Sequence, residues 1–126
     1  MPSIFVSFLI VVSTMSTNAL ANTLDNDGIR NKIVGKRVML NTRYGIKFPL
    51  VYLTNGQVTG DGTGTGLGRY FAPKETGKWW IRNNQMCQKF PTWYDGRTFC
   101  FTLEHVGGNR LIWKRNDGRS GTATIG

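Results

Sequence analysis

Acid–base or covalent chemistry in this chain would have to be built from Asp25, Glu75, Glu104 and His105. Seven carboxylates and one histidine are present in all. Four of the five Asp residues, Asp27, Asp61, Asp95 and Asp117, stand immediately before glycine, where turn chemistry accounts for them. Glu104 and His105 are neighbours in the strand-like run TFCFTLEHV, so they point to opposite faces and cannot share a site without a bulge. Beyond the amino-terminal segment serine is confined to Ser120, so a Ser-His-Asp arrangement would have to use a residue inside a terminal turn. This census points away from an enzyme and assigns no catalytic residue. It assigns no metal either, since two cysteines and His105 do not make a four-ligand zinc set. The run GDGTGTGLG, Gly60 to Gly68, lacks both the Lys-Ser/Thr of a P-loop and the G-x-G-x-x-G spacing. It reads as a loop between strands, and no nucleotide or other cofactor is assigned.

Binding chemistry concentrates elsewhere. The stretch GKWWIRNNQMCQKFPTWYDGRTFC, Gly77 to Cys100, holds three of the four tryptophans and both cysteines. A two-residue turn at Asn83-Asn84, both tolerant of positive φ, sets Arg82 against Gln85, Ile81 against Met86, Trp80 against Cys87 and Lys78 against Lys89. Directly opposite residues share a face. Trp79, Ile81 and Met86 then lie on one face, with Phe99, Phe101 and Leu103 of the next strand. Trp80 and Cys87 lie on the other, with Lys78 and Arg82. Joining Cys87 to Cys100 sets Gln88 opposite Phe99 and Phe90 opposite Arg97. In an exported protein such an even pair reads as a disulfide, worth roughly 3 kcal/mol for a loop of about 14 residues in the chain-entropy model. The spacing is not the C-x-x-C of a redox pair. Trp80 beside the bond either covers it or waits for a ligand. Lys78 opposite Lys89 repels it across the strand pair, and a bound anion would relieve that. Lys78, Trp80, Arg82 and Lys89 therefore form the candidate binding surface.

The elements that must position these residues are short. One segment, LDNDGIRNKIVGK, suits a helix, with Leu24, Ile29, Ile33 and Val34 apolar and Gly35 at its end. After it come turn dipeptides at Asn55-Gly56, Asp61-Gly62, Asn83-Asn84, Asp95-Gly96, Gly107-Gly108 and Asp117-Gly118, with β-branched or aromatic runs between them. The pattern predicts an all-β protein: an antiparallel up-and-down meander of about eight strands, closing into a small barrel or curling into a half-barrel.

The ends and the charge bound the setting. The first residues run through an apolar segment, Ile4 to Val12, to Ala19-Leu20-Ala21, which reads as a secretory signal cleaved after Ala21 although its start carries no Lys or Arg. The segment falls well short of the ~20 residues that span a bilayer. Residues 22–126 form one domain, periplasmic or secreted, and monomeric. The net charge of +9 favours anionic partners. In the envelope these are an anionic glycan, lipopolysaccharide or a lipid headgroup; export makes nucleic acid a poor candidate.

GKWWIRNNQMCQKFPTWYDGRTFCFTL followed by LIWKRNDGRSGTATI resembles a group of small exported bacterial proteins of the DUF995 type. These share a G-R/K-W-x-V/I…L/M-C-Q-K-W/F…W…C…W-x-R-x-D-G-x-S/T-G-T-A pattern. The likeness covers about the last fifty residues, with a weaker echo in IVGKRVMLNTRYGIKFPLVYLTNGQVTG. Met86 and Phe90 stand where these proteins often carry Leu and Trp. The resemblance implies export and a disulfide-bonded meander, and it brings no activity or site residue. Two functions are expected to compete: a non-enzymatic module binding an anionic envelope component, and an inhibitor or assembly factor binding an envelope protein. Lysozymes are a poor target for the second, being commonly basic like this chain.

Overall fold

The computed structural model describes residues 3–12, 22–41, 47–61 and 74–126. The expected cleavage point at Ala21, and residues 62–68 of the glycine run, lie outside them. Helix α1 (Asn26–Ile33) is followed by β1 (Arg37–Asn41), β2 (Lys47–Tyr52), β3 (Gln57–Asp61), β4 (Lys74–Arg82), β5 (Gln85–Lys89), β6 (Thr98–Gly107), β7 (Arg110–Arg115) and β8 (Ser120–Ile125). Each strand pairs antiparallel with its neighbours in sequence. β8 returns to β1 through Val38–Ile125, Met39–Thr124 and Leu40–Ala123, so the meander is a closed eight-stranded barrel.

Alternation fills the barrel. Val38, Leu50, Val58, Met86, Phe101, Leu111 and Ala123 all point inward and are buried. The core leaves a void of about 20 Å³, enough for roughly one water. A polar pair lies among the core side chains: the Tyr52 hydroxyl donates to Gln88 Oε1 at 2.5 Å. Burial pushes the Tyr52 phenol up, which keeps it a neutral donor.

Helix α1 closes one end. Its Ile29 and Ile33 are 0% and 1% exposed, and Ile33 lines the core void together with Tyr52 and Leu111. Asp25 is the N-cap, its carboxylate accepting from Gly28 N at 2.7 Å. Asp27 lies within the first helical turn rather than in the expected turn, and its charge there complements the helix dipole. Asn26 and Asn84 exchange hydrogen bonds of 2.9 and 2.7 Å, each backbone N–H donating to the other's side-chain oxygen, which staples the helix start to the β4–β5 turn.

Aromatic rings fill the other end. After Lys89–Thr98 the β5–β6 ladder stops, so Phe90 does not pair with Arg97; residues Trp93–Gly96 instead form a tight turn in which Tyr94 and Asp95 have left-handed φ of 56° and 57°. Trp93 folds against Phe90 and Phe48, with ring centroids 4.6 and 5.3 Å away. Three inward glycines make room for rings: Gly60 beneath Trp93, Gly77 beneath Phe90, and Gly121 beneath Trp113. A methyl on Gly77 would strike the Lys89 carbonyl oxygen, which belongs to the β4–β5 ladder and cannot move freely. Gly77→Ala should therefore lower the free energy of unfolding by about 1–3 kcal/mol in urea titration, the usual cost of overpacking. An unchanged midpoint would mean that the ladder yields at no cost.

Candidate functional site

The outer wall of β4 to β7 carries most of the charges of these strands, while Glu75 and Arg115 face inward. Lys78 pairs with Lys89, Trp80 with Cys87, and Arg82 with Gln85, as the Asn83-Asn84 turn requires; both turn residues have positive φ, 50° and 59°. Cys87 is bonded to Cys100 across β5 and β6, with Cα atoms 4.0 Å apart. That is the close, non-hydrogen-bonded kind of pair. Cys100 turns its backbone the other way, accepting at 2.9 Å from Asn116 N.

Continuing these pairings across the wall gives three rows. The first runs Arg82, Gln85, Thr102, Lys114, with Gln85 Nε2 donating to Thr102 Oγ1 at 3.3 Å. The second runs Trp80, Cys87, Cys100, Asn116. The third runs Lys78, Lys89, Thr98. No position in these rows is a carboxylate. Lys78, Arg82, Lys89 and Lys114 are exposed, Trp80 and Cys100 are half-buried, and Cys87 is 1% exposed. The disulfide thus forms the floor between two rows of cations, with Trp80 at its β4 edge. Sequence reasoning found Lys78, Trp80, Arg82 and Lys89 but missed Lys114 and Asn116. The signal was there: carrying the same register through RLIWKRND would have reached both.

The acid–base candidates are scattered. Asp25 caps α1. Glu75 points into the ring-filled mouth of the barrel, where its carboxylate accepts from Thr92 N at 2.9 Å, Thr92 Oγ1 at 2.6 Å and Trp93 N at 3.0 Å. It therefore holds the loop that carries Trp93. Glu104 faces outward opposite Ile112, while His105 Nε2 lies 2.7 Å from the Gly108 carbonyl oxygen beside the turn. Among the described residues no three of His, Cys, Asp and Glu come together to hold a metal ion.

Near the aromatic end, Arg115 lies 4.2 Å over the Phe99 ring and pairs with Asp117 through two hydrogen bonds of 2.8 and 2.6 Å. The Arg115 hydrogen bond, and then the Arg119 N–H, hold the Asp117 carboxyl down at about 2. Its depressed value stabilises the fold above the ordinary carboxylate range and is lost as pH falls toward 2. Melting temperature should drop between about pH 4 and pH 2, and Asp117→Asn should flatten that limb. A variant with the same acid limb would place the titration on another group. Glu75→Ala should cost about 1–3 kcal/mol, because it leaves three donors without their acceptor; thermal denaturation of the variant checks it. Compared with known proteins, the chain matches no family model, no curated protein and no solved structure.

Proposed function

We propose that the protein is an exported, non-enzymatic binding module that takes an anionic component of the bacterial envelope on the outer wall of β4 to β7. The observation that carries this reading is the cross-strand pair Lys78–Lys89, two like charges directly opposite with no carboxylate in the rows around them. Like charges so arranged repel, and an anion between them converts the repulsion into attraction. Arg82 and Lys114 extend the positive field on the same wall, within a chain of net charge +9. The interior is a poor alternative, because its void holds little more than a water.

Export is supported by two features. The disulfide belongs to oxidising compartments. The apolar segment also adds nothing to the core, since Ile4, Phe5, Phe8 and Leu9 are all at least 85% exposed. A non-enzymatic role is supported by the structural duties of Asp25, Glu75 and Asp117.

Titration against lipopolysaccharide, anionic glycans and anionic vesicles at two salt concentrations tests the proposal. Binding should weaken as salt rises, since exposed charge attraction is screened over about 10 Å at 0.1 M; absent or salt-indifferent binding sinks it. Lys89→Glu should stabilise the free protein by about 0.3–1 kcal/mol and weaken anion binding. A variant that is less stable and binds equally well would exclude the Lys78–Lys89 pair as the anion site.

A further inference from the structure

Resting on the reading just given, we infer that the wall is a platform for an acidic polysaccharide, with a sugar ring on Trp80 and acidic groups along the flanking cations. Three observations select this ligand from other envelope anions.

The first is the setting of Trp80. It is half-buried beside a disulfide whose Cys87 is sealed at 1% exposure, on strands paired on both sides. A half-buried indole on a strand held from both sides offers a flat apolar plate at modest entropy cost on binding. Such a plate suits the C–H face of a pyranose.

The second is the spread of charge. Lys78 and Arg82 lie roughly 13 Å apart along β4, and Arg82 and Lys114 lie roughly 14 Å apart across three strand spacings. A single phosphate can neutralise Lys78 with Lys89 but cannot reach the other two. A chain with a negative group on each repeat can meet all of them. Between the cations stand Gln85 and Thr102, an amide and a hydroxyl that can exchange their mutual hydrogen bond for bonds to sugar hydroxyls.

The third is what the wall lacks. Peripheral attachment to a bilayer uses apolar side chains that enter the acyl boundary. Among the described residues of the barrel, the exposed large apolar side chains are Tyr94, Val106 and Ile112. Tyr94 is in the turn Trp93–Gly96, Val106 is near the end of β6, and Ile112 stands opposite Glu104, so none belongs to the three rows.

Calorimetry would use four probes: an oligogalacturonate hexamer, a sulfated hexasaccharide, a neutral hexasaccharide and phosphatidylglycerol vesicles. At least one acidic hexasaccharide should bind, and the neutral one should bind at least about tenfold more weakly. Trp80→Ala should weaken that binding about tenfold or more, as loss of a central aromatic contact does. Lys47→Gln on β2, across the barrel, should leave it unchanged. If Trp80→Ala does not fold, the double variant Lys89→Gln with Lys114→Gln replaces it, and undiminished affinity overturns the inference. Vesicle binding that falls with salt, with neither acidic hexasaccharide bound, overturns the polysaccharide and leaves the anionic-component reading standing. If none of the four probes binds, both fall.

Discussion

A sheet closed on itself has an inside of fixed volume, and every residue that faces it must fit. Here the eight-stranded interior is taken up by side chains, with a void of about 20 Å³ among them. That limit explains why rings sit over Gly60, Gly77 and Gly121, why two isoleucines of α1 enter from one end, and why a tryptophan enters from the other. It also assigns the outer residues. With a period of two, each inward choice fixes which neighbours face water, so Val58, Met86 and Phe101 determine the positions of Lys78, Cys87 and Cys100 as surely as their own chemistry does.

Polar groups inside obey the same limit by pairing. Tyr52 finds Gln88 on a strand distant in sequence, while Arg115 pairs locally with Asp117 and lies over the Phe99 face of the neighbouring strand. Glu75 gives up solvent to bind three donors of one loop. A carboxylate in that role positions the loop that carries Trp93.

Much of the wall was legible in the sequence because its information is local. Asn83-Asn84 sets one hairpin, the cysteines join the next, and the rows follow by counting. The helix was legible too, though Asp27 was assigned by its glycine neighbour when its place in the helix decided its role. Closure was not legible, because the choice between barrel and half-barrel rests on whether Leu40 meets Ala123, a contact that neither segment announces. The same is true of the Glu75 clamp, the Asn26–Asn84 exchange and the insertion of Trp93. Each joins a loop or cap to a distant strand, and such contacts leave no period to read.

The seam between β1 and β8 differs in kind from the other seven. All the others join neighbours in sequence and can form as hairpins, whereas this one must wait until the two ends of the sheet come together, with the larger loop entropy to overcome. It has three residue pairs, as many as β2 with β3 and fewer than the five along β1 and β2. Flanking bonds extend it: Asn41 Nδ2 to Thr122 Oγ1 at 2.9 Å on one side, Gly126 N to the Arg37 carbonyl at 2.7 Å on the other. Loss of this one seam would unroll the barrel into a sheet with its sequence-neighbour hairpins intact. The disulfide between β5 and β6 lies on the far side of the cylinder, away from that seam.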